Sequence, residues 1–258
     1  AMYAHLLRLF MGQDPDTYFP RFSAVLDRHG PKMDRIERVN IFGFLINFFT
    51  QQDRKGVPGS QKRLFDTYKE MVAQDLVFGL SRFSYRIAFN ITTLACKLKA
   101  IDWTTDFLPQ IREKIPAPDG ENLFHYGSAY LEFARENYSA ARRKLIFVQF
   151  EDPIDRLSFD VLSIRIAYES RDSDLFDAVH ARLTRRLYRK AEVSDRIRRP
   201  IHNFLRVVQP MFDLQHTSPT PAELDRIKEM LENAETITGR EWLEAKFSYL
   251  CGINPNKN

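Results

Sequence analysis

Apolar residues recur at three- and four-residue intervals along almost the whole chain, and no stretch alternates convincingly with period two. Over 258 residues this pattern predicts helices at 3–12, 15–29, 32–53, 59–78, 82–99, 103–115, 120–136, 138–149, 153–171, 174–190, 194–213, 220–235 and 239–251. Start signals sharpen several of them. Thr220-Pro221-Ala222-Glu223 spells a capping box with proline at the first helical position, where its missing N–H costs nothing. Asp152-Pro153-Ile154-Asp155 offers an aspartate cap ahead of the same proline placement, and Ser173 and Ser194 precede two further apolar patterns. Pro200 interrupts the pattern running from Ile197 to Phe212, which predicts a kink or a later helix start. The turn cluster Gly56-Val57-Pro58-Gly59-Ser60 divides an N-terminal helical capping region, 1–58, from the remainder, 59–258.

Small residues recur inside alternate helices: Ala95, Ala129 and Ser163 stand 34 residues apart. Each of these helices is followed by a turn and a second helix opening on a bulky residue, Trp103, Tyr138 or Leu175. A small side chain lets the two helices of a hairpin approach closely, and the bulky one fills the space between neighbouring hairpins. Two helices in a 34-residue period is the tetratricopeptide length. The unit Gly127-Ser128-Ala129-Tyr130 … Tyr138-Ser139-Ala140-Ala141 … Pro153 resembles that family in its second half and closing proline. It departs in the first half, where Gly127 and Tyr130 sit two residues too far from Tyr138. The resemblance covers about 84–190. Phe89-Asn90-Ile91, Asp102-Trp103, Asn137-Tyr138, Phe159 and Tyr168-Glu169 are similar, too, to a group of uncharacterised bacterial helical-repeat proteins.

The resemblance implies an all-α fold of antiparallel helical hairpins stacked as a tetratricopeptide-like right-handed α-solenoid, with a compact bundle as the competing arrangement. It further implies that the first helix of each hairpin lines a concave face. Thr92, Cys96 and Lys99 then face a groove in one repeat, Tyr126, Tyr130 and Phe133 in the next, and Asp160, Ile164 and Ala167 in the third. The Tyr126–Tyr130 pair is its expected anchor for a peptide, with packing between hairpins the competing role.

Composition narrows the class without naming a partner. Aromatics make up 13% of the chain, with 21 Phe, which supplies ample core, and the 10 Gly are too few for a many-turned β protein. The most apolar run, Ile41 to Phe49, is far shorter than the ~20 residues a membrane span requires. Cys96 and Cys251 lie within apolar helical patterns and read as buried thiols of a reducing compartment, so the expected location is cytoplasmic. The opening Ala1-Met2-Tyr3-Ala4-His5 has no basic leader region, and its Ala-Met start fits a fragment of a longer protein.

Catalytic signatures are absent from the pattern. None of the six histidines has a partner at metal-ligand spacing, and no phosphate-binding glycine loop or nucleophile elbow occurs. The acidic groups Glu151-Asp152-Asp155 and Asp172-Asp174-Asp177 stand at helix starts, where carboxylates favour the positive end of the helix dipole. No catalytic residue, metal or cofactor is therefore expected. The outstanding charge feature is basic: nine Lys or Arg against two acids between 182 and 206, a local +7 in a chain of formal charge +4. Arg182, Arg185, Arg186 and Arg189 share one helical face, and Lys190, Arg196, Arg198, Arg199 and Arg206 follow. The stripe reads as an anion site or as a solvated face whose arginines pair with Asp155, Asp160 or Asp177. These features favour a non-enzymatic scaffold that binds a protein or peptide on the concave face of the array, with a nucleic-acid-binding array using 182–206 as the alternative.

Overall fold

In a computed structural model of the chain, the described residues are 21–252 apart from 23, 27, 80, 81, 190–192 and 218. The helix expected over 3–12 and the beginning of 15–29 lie outside them, as do His5 and Lys190. After a 3-10 turn at Gly30–Lys32, helices follow at Arg35–Arg54 (α1), Ser60–Ala73 (α2), Arg82–Lys97 (α3), Ile101–Lys114 (α4), Asp119–Ala134 (α5) and Tyr138–Leu145 (α6). The chain continues with Pro153–Ser170 (α7), Ser173–Tyr188 (α8), Asp195–Asp213 (α9), Pro221–Glu232 (α10) and Arg240–Leu250 (α11). Among the described residues there is no strand.

The starts follow the expected capping chemistry. The Asp152 carboxylate accepts from the Ile154 and Asp155 N–H groups at 2.8 and 3.3 Å. Thr220 and Glu223 close the capping box: the Thr220 hydroxyl accepts from the Glu223 N–H at 3.4 Å, and the Glu223 carboxylate accepts from the Thr220 N–H at 2.8 Å. At α8 the cap is Asp172, whose carboxylate accepts from the Leu175 N–H at 2.9 Å; Ser173 is already helical. Ser194 holds the cap position of α9 without a side-chain bond. Pro200 neither starts nor ends α9, which begins five residues earlier at Asp195 and runs through Pro200 and Pro210.

Two compact units divide the chain, 1–135 and 136–258. The turn at Gly56–Ser60 is not a boundary between them. It joins α1 to α2, which pack on one another directly, and Gly59 supplies the left-handed backbone (φ +77°) that the entry to α2 needs. In the first unit, α2 packs on α3, α3 on α4, and α5 against both α3 and α4. Gly127 explains this last fit: a Cβ there would stand 2.5 Å from Leu108 Cδ2 and 2.8 Å from Thr92 Cγ2. The absent side chain therefore sets how closely α5 approaches its neighbours. The small positions Ala95 and Ala129 are fully buried, and Phe42, Phe49, Tyr68, Met71 and Phe107 fill the rest of this core.

In the second unit, α6 packs on α7, α7 on α8, α8 on α9, and α9 on α10 and α11. Its core runs from Leu157 to Leu243. Phe176 of α8 stacks face to face on Phe212 of α9 with ring centroids 3.9 Å apart, and Tyr168 of α7 meets Trp242 of α11 edge-on at 5.1 Å. The Arg165 guanidinium sits over the rings of Phe204 (5.8 Å) and Trp242 (5.4 Å), which face its delocalised charge with their π surfaces. The boundary at 135/136 falls between the two helices of the best repeat match, so α5 belongs to one core and α6 to the other.

Candidate functional site

The residues expected to line a concave groove are mostly inside the protein. Thr92 is fully buried and its hydroxyl donates to the Ala88 carbonyl at 2.8 Å. Tyr126, 34 residues on, is 2% exposed and stacks on Phe89 at 5.2 Å. Tyr130 and Phe133 are half-buried and continue an aromatic chain at 6.1 and 6.2 Å. Lys99 is exposed at the end of the helix, with a left-handed backbone (φ +54°). Asp160, the third member of the series that begins at Thr92, is fully buried in the second unit. Thr92, Tyr126 and Asp160 therefore occupy buried positions. They lie on the helix face that packs inward, where the resemblance had placed an open one.

The basic stripe is divided by α8 into two clefts, both within the second unit. The first, of about 430 Å³, is lined by Arg156 of α7 and by Arg182, Arg185, Arg186 and Arg189 at and beyond the C-terminal end of α8. Asp160 anchors it. Arg182 donates to Asp160 Oδ1 through Nε at 2.9 Å and pairs with the same oxygen through Nη2 at 2.7 Å, and Arg186 donates through Nη1 to Oδ2. Arg186 also donates to the Arg156 carbonyl at 3.3 Å, while Arg156 Nε donates to the Phe150 carbonyl at 2.7 Å. Burial raises the Asp160 carboxyl above its ordinary value, and the two guanidinium groups pull it the other way.

The second cleft, of about 770 Å³, lies between α8, α9 and α10. Its apolar floor comes from Leu187, Leu205, Pro210 and Met230. Arg198, Arg199 and Arg206 of α9 and Arg226 of α10 stand around it with His180 and His202. Arg198 pairs with Asp195, whereas Arg199, Arg206 and Arg226 make no ion pair among the described residues. Tyr188, also on this cleft, is 73% exposed. Burial lowers the His180 pKa, opposed by a hydrogen bond to the Leu205 backbone and by Asp177 and Asp213. Two carboxylates also line the cleft and are engaged by their neighbours there: Asp195 pairs with Arg198, and Asp213 accepts from Gln209 at 2.9 Å.

Arg198, Arg199 and Arg206 were legible in the sequence as basic residues, but their arrangement around an apolar floor was not. His180, Thr184 and Leu187 on α8, His202 and Arg206 on α9, and Arg226 and Met230 on α10 each follow helical spacing. That spacing shows which residues share a face. Which face meets which neighbour is decided by the core packing of α8 and α10 against α9. Among the described residues no three His, Cys, Asp or Glu side chains gather to hold a metal ion, and no helix is long and apolar enough to cross a membrane. Compared with protein-family models, curated proteins and solved structures, the chain matches none of them.

Proposed function

We propose that this chain is a non-enzymatic binding scaffold that holds an acidic, partly apolar peptide segment of a partner protein in the cleft between α8, α9 and α10. The observation that carries this reading is the pairing of an apolar floor (Leu187, Leu205, Met230) with a rim of arginines that make no ion pair among the described residues (Arg199, Arg206, Arg226). Apolar side chains of the segment would be desolvated on the floor, while carboxylates beside them would meet the planar donor forks of the rim. We read the helices as a degenerate tetratricopeptide-like right-handed solenoid. Supporting this are the burial of Ala95, Ala129 and Ser163 at 34-residue intervals and the contact of α5 with both helices of the preceding hairpin.

The test is fluorescence anisotropy against an array of labelled ten-residue peptides in which Leu, Phe and Met alternate with Asp and Glu. The best binder should lose at least tenfold in affinity with Arg206→Glu and with Met230→Asp, each checked for an unchanged helical spectrum. If both folded variants bind as tightly as the parent, the cleft is not the peptide site. A second reading, a nucleic-acid-binding array using the arginines between 182 and 206, is favoured by the same unpaired rim. Phosphate-dominated binding would fall steeply between about 50 and 200 mM salt and would survive Met230→Ala, which removes apolar area from the floor and leaves the charge of the rim unchanged.

A further inference from the structure

The cleft between α7 and α8 does not belong to the peptide site, and its charge is unusual. Five guanidinium groups converge on a space of about 430 Å³, and the carboxylate bonded among them is that of Asp160. A guanidinium stays protonated throughout the working pH range; with Arg189 set aside, because it has an interaction of its own, Arg156, Arg182, Arg185 and Arg186 against the Asp160 carboxylate leave about three positive charges. The C-terminal end of α8 contributes roughly half a negative charge to the same region, which offsets little of this. The exposed Arg185 makes no bond or ion pair among the described residues.

The arrangement is built, not merely basic. Asp160 is fully buried and holds one arginine on each carboxylate oxygen, so the Arg182 and Arg186 forks are oriented before any ligand arrives. Each fork has five N–H donors, and Asp160 uses only part of each set. The remaining donors, with Arg156, Arg185 and Arg189, line the cleft. A buried carboxylate that bonds two arginines while Arg156 and Arg185 stand beside them does little as a stability device, because it leaves much of the repulsion uncompensated.

We propose that the α7–α8 cleft binds a compact polyphosphate group, of the pyrophosphate or triphosphate type. Three or four negative charges on neighbouring phosphorus centres match the uncompensated charge, and their many acceptor oxygens match several planar donor forks at once. Isolated carboxylates would bring the same charge only on separate side chains. A nucleic-acid strand spreads its phosphates along an axis, whereas these arginines converge on one cleft.

The experiment is isothermal titration of the whole chain at 150 mM KCl with sodium tripolyphosphate, pyrophosphate, orthophosphate and sulfate. ATP is included to separate a free inorganic anion from the same group on a nucleotide. Tripolyphosphate should bind at least tenfold more tightly than orthophosphate or sulfate; ATP affinity equal to or above that of tripolyphosphate assigns the source. Arg185→Ala, whose side chain makes no hydrogen bond or ion pair among the described residues, should weaken binding at least tenfold, while Arg206→Glu in the neighbouring cleft should lose less than threefold.

Asp160→Asn separates orientation from bulk charge. Removing a negative charge would tighten anion binding if charge alone mattered, whereas loss of the anchored forks should weaken it at least tenfold in a protein with an unchanged melting profile. The proposal is overturned if tripolyphosphate does not bind, if sulfate binds as tightly, if Arg185→Ala is silent, or if a folded Asp160→Asn variant binds more tightly. It is also overturned if a single-stranded RNA 20-mer displaces tripolyphosphate at a lower phosphate concentration. Should Asp160→Asn fail to fold, Arg185→Ala decides the matter alone. Neither result bears on the peptide cleft, whose own variants lie on α9 and α10.

Discussion

Replacing Gly127 by alanine tests whether close approach of α5 to α3 and α4 organises the first unit. The new Cβ would stand 2.5 Å from Leu108 Cδ2 and 2.8 Å from Thr92 Cγ2, both on side chains that are almost wholly buried. Carbon contacts relax near 3.5–4.0 Å, so the neighbours must retreat by about 1 Å. Leu108 can yield through its flexible end. Thr92 yields less, because its rotamer is held by the hydrogen bond to the Ala88 carbonyl. Overpacking of this kind costs about 1–3 kcal/mol, and exchanging glycine for alanine within a helix returns about 1 kcal/mol, leaving a net loss of up to about 2 kcal/mol. Gly43, in α1 of the same unit, has nothing within 4 Å of where a Cβ would go, so Gly43→Ala should gain about 1 kcal/mol. Urea unfolding followed by circular dichroism should therefore move the midpoint up for Gly43→Ala and down for Gly127→Ala. A Gly127→Ala midpoint equal to or above that of Gly43→Ala would refute the packing argument.

Alkaline pH should loosen both units. Burial pushes the Tyr68 and Tyr168 hydroxyls up to about 12 from an ordinary 10. A folded value above the unfolded one means that the contribution is complete below pH 10 and is lost as pH rises toward 12, roughly 2–3 kcal/mol for each tyrosine. Urea midpoints should hold from pH 8 to 10 and drop by pH 11.5, with tyrosinate absorbance at 295 nm rising in the same interval; an unchanged midpoint at pH 11.5 would contradict this. At the start of α10, Thr220→Ala removes the cap and should cost about 1 kcal/mol in the second unit, read as a lower urea midpoint. Glu223, held below its ordinary value by Thr220, makes that cap's contribution persist as pH falls until its carboxyl protonates.

Much of the local structure was written in short stretches of sequence. Among the described residues, helix positions came within a few residues because each apolar face, each cap at Asp152 and Thr220, and each turn is decided by neighbours along the chain. The Asp160 pairing was legible only as one of three possible partners for the arginines, since spacing does not say which carboxylate is buried against them. That Tyr126 is buried was not legible for a related reason. Periodicity identifies a face of α5 but not its neighbour, and Phe89 of α3 covers the ring.

Sequence alone thus determined that this chain is helical, where its helices begin, and that its positive charge concentrates between 182 and 206. Those properties follow from hydrogen bonding and side-chain spacing over a few residues. Tertiary structure decided the rest. It divided the best repeat match between two cores, turned Thr92, Tyr126 and Asp160 inward, and split one basic stripe into an arginine cleft and an amphipathic one on opposite flanks of α8. The physical reason is that close packing chooses which helix faces meet. That choice rests on side chains distant in sequence, such as Gly127 against Leu108 and Phe176 against Phe212.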